Sequence, residues 1–287
     1  MKLTLATAVA LLIAFAAYLA FGPRPANVKI QSQWQANRYV LEKYLRSNQS
    51  SGNRGPQVVL VGSSLAERLG FDDLDGCVYN MALSGESMLT GLEAIVKSGH
   101  QPKQVYVEIN VLGRKANGPL VEKAGGFLPR VSALFHTENM PINLVFSAFA
   151  SGRKGPSVDS IEPGIFQAAL QSKRGIYAQP LPEATLQISL SELKNAIAIL
   201  EKRGTQIGFF EMPVNPELEN SVQATQIRTA FRKAFPEAPI IGVDELGKGQ
   251  AIHTIDGIHL DPKEAAGVSS NLRTAIGLKC SAKQKPI

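Results

Sequence analysis

Short apolar runs alternate along the chain with longer amphipathic stretches. Runs rich in Val, Ile, Leu and Phe at 57–62, 77–82, 104–109, 206–211 and 239–243 predict strands. Between and after them, over about 64–70, 86–98, 187–203, 217–235 and 262–276, apolar residues recur at three- and four-residue steps, which predicts helices. Regular alternation of the two predicts an α/β domain with a parallel sheet and helices on both faces. The third run, Gln104-Val105-Tyr106-Val107-Glu108-Ile109, is less continuously apolar than the first. It either lies nearer an edge of the sheet or turns Glu108 into a site.

Two regions break the rhythm. Residues 3–21, LTLATAVALLIAFAAYLAF, carry no charge, and 19 positions rising ~1.5 Å each nearly span a ~30 Å hydrocarbon core. A cleavable signal has a shorter apolar core, about 7–15 residues, and the exit Ala17-Tyr18-Leu19-Ala20-Phe21-Gly22-Pro23 is a poor cleavage site. Residues 1–22 therefore read as an uncleaved, single-pass transmembrane anchor. Its orientation is nearly balanced, with Lys2 and the terminal amine on one side and Arg24 and Lys29 on the other. Residues 23–56 read as a tether: a helix over 31–47 with Trp34, Leu41, Tyr44 and Leu45 near one face, then the polar linker Ser47–Pro56. The main domain runs over 57–279. Inside it, the insertion 112–186 holds Gly, Pro and the basic pairs Arg114-Lys115, Arg153-Lys154 and Lys173-Arg174, with a short apolar stretch at 142–150. It either shapes a binding cleft or is a solvated loop with a helix packed on the domain.

Composition changes this picture little. With 287 residues, 44% of them hydrophobic, the chain can bury one large core. A net charge of +6 without long basic runs or interleaved aromatic clusters argues against nucleic acid, and suits an anionic glycan or lipid surface as well. The two cysteines, Cys77 and Cys280, fit either one disulfide or two free thiols, and their isolation excludes a zinc motif.

Candidate chemistry gathers at one rim. Ligands of an open parallel sheet bind beyond the carboxyl ends of its strands. Ser63 and Ser64 leave the first strand, Asn80–Ser87 the second and Asn110 the third, and His253, Asp256 and His259 follow the fifth. Singly these are a helix cap, turns and loop residues. Together they meet the needs of serine nucleophile chemistry: an alcohol, a base oriented by an acid, and preorganised donors for a developing oxyanion. In Asp256-Gly257-Ile258-His259 the acid can orient the ring. The Ser64 and Gly85 N–H groups and the Asn110 amide can form the oxyanion hole. His253, Asp256 and His259 at three-residue spacing also admit a metal site, which would leave the serine and oxyanion blocks unexplained. Glu108 is either a partner for a basic residue such as Arg114 or a surface charge at a strand end. His100 and His136 read as solvated, and Trp34, Tyr39 and Tyr44 as packing for the tether helix.

Gly62-Ser63-Ser64, Asn80-Met81-Ala82-Leu83-Ser84-Gly85, Glu108-Ile109-Asn110 and Asp256-Gly257-Ile258-His259, in this order, resemble the blocks of the SGNH (GDSL-type) hydrolase superfamily over about residues 57–276. The resemblance implies a flavodoxin-like three-layer α/β/α fold. It also implies Ser64 as nucleophile, His259 as base, Asp256 as its partner, and Ser64, Gly85 and Asn110 as oxyanion donors; Ser63 and Glu108 read, apart from the resemblance, as candidate supporting residues, and no metal or cofactor is expected. Ser63 stands where the family has Asp, Glu108 where it has Gly, and Val111 where it has Asp. Those departures, with the anchor, are similar to membrane-tethered members that acylate exported polymers. That group implies an acyl(acetyl)transferase or esterase working through acyl-Ser64 in the periplasm or outside the cell. Its partners would be a polysaccharide acceptor, the membrane and a membrane-embedded acyl-donor protein. The alternative function is a non-catalytic, polysaccharide-binding or assembly subunit of an export complex.

Overall fold

The structure, a computed structural model, describes residues 2–21, 30, 32–50, 57–70, 78–128, 132, 135–149 and 161–277. In chain order the elements begin with helix α1 (Lys2–Phe21), helix α2 (Gln33–Ser50), strand β1 (Val58–Gly62), the short helix α3 (Ser64–Glu67), β2 (Val78–Ala82), α4 (Met88–Ser98) and β3 (Gln104–Glu108). The insertion follows with α5 (Gly118–Ala124), a 3-10 turn at Thr137–Asn139, α6 (Pro141–Phe149) and α7 (Pro163–Tyr177). Then come α8 (Glu183–Lys202), β4 (Gln206–Phe210), α9 (Pro216–Glu219), α10 (Val222–Ala234), β5 (Ile240–Ile241), α11 (Val243–Leu246) and α12 (Pro262–Ala275).

The five strands form one parallel sheet in the order β2-β1-β3-β4-β5. Period-two side chains split its faces between two cores. Val59, Val61, Met81, Val105, Val107 and Phe209 join Leu92 and Ile95 of α4, Leu193 of α8 and Phe231 of α10. Val58, Leu60, Val78 and Phe210 join Leu65 of α3, Leu170 of α7 and Val268 and Leu272 of α12. The result is a layer of helices on each face of the sheet.

The third strand is central, flanked by β1 and β4, which corrects the edge placement. Its polar residues sit at its two ends: Gln104 donates to Gln206 on β4 at 3.3 Å, and Glu108 meets the α3 turn. The helix expected over 217–235 is two helices, α9 and α10, broken at Asn220-Ser221, where the Ser221 hydroxyl caps α10 through Ala224 N–H. The insertion is more helical than its pattern indicated, because α5 and α7 are short or only weakly apolar. Helix α7 seats Leu170 in the second core.

Helix α2 packs against the domain: Leu41, Tyr44 and Leu45 join the first core, while Trp34 is partly exposed. A buried Arg38–Glu42 pair, 2.6 Å apart, ties it to the insertion, since Glu42 accepts Thr137 N–H and Arg38 donates to Phe135 O. His100, expected to be solvated, lies with its ring centroid 4.9 Å from that of Tyr44, and His136 is half-buried beside Glu138. Among the residues whose side chains are described, no helix supplies an apolar span long enough to cross a membrane. About half the side chains of α1 lie outside that description, so the anchor over 1–22 rests on the sequence. Cys77 and Cys280 also lie outside the described residues.

Candidate active site

The strand order places a topological switch between β2-β1 and β3-β4-β5, where successive connections leave for opposite sides and a crevice opens beyond the carboxyl ends. The chain leaves β1 at this crevice through Ser63-Ser64. The two serines divide the work. Ser63 is the buried N-cap of α3, accepting Leu65 N–H at 3.2 Å, while Ser64, the first helical residue, keeps its hydroxyl partly exposed. An N-cap fixes which way the next residue faces, and here it faces the crevice.

The base comes from the loop before α12. Its ends are joined by a Thr254–Leu260 bridge, by Asp261 N–H donating to His253 O at 3.1 Å and by Ile255 N–H donating to His259 O at 2.8 Å. Within it, Asp256 Oδ1 accepts the N–H groups of Ile258 (3.1 Å) and His259 (2.9 Å), and Oδ2 lies 2.7 Å from His259 Nδ1. Burial pushes the Asp256 carboxyl up, but the His259 ring, the His259 N–H and the Ile258 N–H outweigh it and hold the group well below the usual carboxylate range. An ionised Asp256 accepts a hydrogen bond from Nδ1–H and so keeps the proton on that nitrogen, leaving Nε2 as the acceptor. His259 Nε2 lies 2.8 Å from Ser64 Oγ. Alcohol, imidazole and carboxylate thus form a continuous chain across 195 residues of sequence.

The three residues of the metal alternative have other partners in this geometry. Both His259 nitrogens are engaged, and His253 turns to Glu264 at 3.0 Å. No group of three ligating side chains suited to a metal occurs among the described residues.

Glu108 is neither a surface charge nor a partner of Arg114. It is 1% exposed and sits behind the Ser63-Ser64 turn, accepting Ser63 N–H at 2.7 Å, the Ser63 hydroxyl at 2.8 Å and Ala66 N–H at 3.4 Å. Gly62 makes room: a Cβ there would lie 2.5 Å from Glu108 Oε2. Burial raises the Glu108 pKa, and these donors partly offset the rise. Ser63 and Glu108 are thus one interacting pair, with the carboxylate arriving from β3.

The expected oxyanion donors are differently committed. Ser64 N–H, at the first position of α3, has no intrahelical partner. Gly85, at φ +74°, forms no bond through its N–H among the described residues. Its loop lies beside the nucleophile, because Leu83 N–H donates to Gly62 O at 3.1 Å. Asn110 binds Met212 at both ends of its amide, donating to its carbonyl at 2.8 Å and accepting its N–H at 2.7 Å. One Asn110 amide hydrogen remains for the site.

Several site residues had no sequence signal. Arg114 donates to Gly85 O at 3.0 Å, and Ser84 O accepts from Gln33 and Asn37 of α2. Tyr177 ends α7 where the charges of Glu108 and Asp256, after burial itself, raise its pKa. It also lines a small cavity with Asn110, Glu211 and Arg228. Gln33, Asn37 and Tyr177 are isolated polar residues in helices, so no pattern marks them, and Arg114 reads in the sequence as a partner for Glu108 and not for the Gly85 loop.

No family model and no curated protein matches the chain. A solved structure from Streptococcus pneumonia, named for a platelet activating factor, is similar to 84% of this chain and 92% of its own, at 14% identity and a TM-score of 0.43. So distant a likeness leaves the functional reading to the site itself.

Proposed function

We propose that the chain is a membrane-anchored serine acyltransferase or esterase of the SGNH type, acting on exported or cell-envelope polysaccharide. The observation that carries this reading is the single imidazole lying 2.8 Å from Ser64 Oγ and 2.7 Å from Asp256. In the proposed cycle Ser64 Oγ attacks the acyl carbonyl while His259 Nε2 accepts its proton and Asp256 stabilises the imidazolium. The N–H groups of Ser64 and Gly85, with the remaining Asn110 hydrogen, meet the oxyanion. His259 returns the proton to the leaving group, and an acyl ester stays on Ser64. A sugar hydroxyl, deprotonated by the same imidazole, then takes the acyl group; water in its place gives hydrolysis. The strand order supports a flavodoxin-like SGNH fold.

The anchor is proposed from the uncharged run 3–21 together with Leu11 and Ile13, each about two-thirds exposed on α1. In this reading it holds the domain at the membrane surface, and the resemblance to polymer-acylating proteins supports a periplasmic or outer location with a membrane-embedded acyl donor as partner.

The test is mass spectrometry of the protein quenched with an activated acetyl ester. Acetyl mass on the peptide containing Ser64 is the expected result, and Ser64→Ala should lower turnover by about 10³-fold or more. Equal turnover by the folded variant would favour the non-catalytic binding subunit. Adding oligosaccharide and asking whether acylated sugar or free acid accumulates separates transfer from hydrolysis.

A further inference from the structure

The Ser84–Gly85 peptide is held from more sides than a turn requires. The Ser84 carbonyl accepts two side-chain amides from α2, those of Gln33 and, at 2.8 Å, Asn37. The two donors are one helical turn apart, on one face of α2, and Asn37 is 4% exposed. The Ser84 hydroxyl donates to Glu67 Oε2 at 2.6 Å, at the end of the nucleophile's own helix. The next carbonyl, that of Gly85, accepts Arg114. A side chain at position 85 would both strain the left-handed backbone and strike the Gln33 amide.

A planar trans peptide points its C=O and N–H in opposite directions, and the described chain has no cis peptide. Holding the Ser84 carbonyl toward α2 therefore fixes the Gly85 N–H on the far side, away from α2. Flipping the peptide would strand the buried Asn37 amide without its acceptor, an unfavourable state. An oxyanion donor is effective when its direction is set before charge develops.

We propose that Gln33 and Asn37 are positioning residues that preorganise the Gly85 N–H, so that catalysis depends on the docking of α2 against the domain. The inference rests on the acyl-transfer reading. It gives the segment between the anchor and the sheet a part in the chemistry: displacing α2 frees the peptide to rotate while the Ser64–His259–Asp256 chain stays intact.

The experiment uses the full chain in detergent micelles with an activated acetyl ester as probe, comparing wild type, Gln33→Met, Asn37→Asp, the double variant and Ser64→Ala. We expect the double variant to stay folded at the assay temperature with a lowered thermal midpoint, to keep its KM and its kcat pH profile, and to lose kcat by about 10- to 100-fold, with each single variant intermediate. A folded double variant with wild-type kcat, or a raised KM at unchanged kcat, overturns the inference. Should the double variant fail to fold, exposed Gln33→Met decides alone: lower kcat at constant KM supports the clamp, and unchanged kcat overturns it. Equal turnover by wild type and Ser64→Ala overturns the acyl-transfer reading and this inference together. Loss in Ser64→Ala beside unchanged α2 variants overturns the inference only.

Discussion

Ser63 and Ser64 are chemically identical neighbours that the backbone sends to opposite tasks, one capping a helix over a buried carboxylate and the other presenting a hydroxyl to an imidazole. The acidic groups around them titrate in opposite senses. Asp256 is held below the ordinary carboxylate range. Its contribution to stability is therefore complete above the unfolded value of about 3.9 and is lost as pH falls through the lower folded value. Asp256→Asn should flatten the acid limb of stability below about pH 4, measured as urea midpoints against pH. Glu108 is raised by burial, offset in part by Ser63 and Ala66. Its contribution is complete below the unfolded value and is lost as pH rises through the folded one. Ser63→Ala removes both a cap and a donor to that carboxylate, so we expect a loss of roughly 1–2 kcal/mol that grows as pH rises above the ordinary carboxylate range. A pH-independent loss would mean that Glu108 does not titrate above that range. The acid, base and alcohol could be read from their sequence blocks. The role of Glu108 could not, because a carboxylate at a strand end has the same one-dimensional pattern whether solvent or a ring of N–H donors lies beyond it.

Helix α2 presents a similar contrast among elements. Its apolar spacing marked Leu41, Tyr44 and Leu45 as one face, but no local pattern says whether such a face meets a neighbouring sheet or merely spans a gap. The deciding contacts are distant in sequence: Arg38 reaches Phe135, Glu42 reaches Thr137, and Asn37 reaches Ser84. Because the Glu42 carboxylate is buried, Arg38→Ala should cost roughly 3–5 kcal/mol in chemical denaturation, and Arg38→Met with Glu42→Leu much less. Equal losses in the two variants would show that stranding the Glu42 carboxylate adds no cost beyond the lost bonds to Phe135 and Thr137. The strands were legible to within a residue or two because parallel strands buried on both faces are nearly continuous in apolar content. Helices α5 and α7 were not, since few of their residues enter the core and their weak stripe is lost among Gly and Pro.

For the molecule as a whole, alternation predicted the layers while strand order needed coordinates. The central place of β3 was hidden by Gln104 and Glu108, polar residues that the ends of a buried strand accommodate. That order brings the first strand and the loop before the last helix to the same crevice. The carboxylate and imidazole travel together on one short, cross-braced loop, but the alcohol arrives on a separate element of the same layer, the turn into α3. Movement of that loop against the turn on warming would part the alcohol from the imidazole and leave the imidazole–carboxylate contact untouched. Turnover should then fade at a temperature below that at which circular dichroism changes, and recover fully on cooling. Such a molecule would fall silent before it melts, a built-in thermal fuse set by the seam between one loop and one turn.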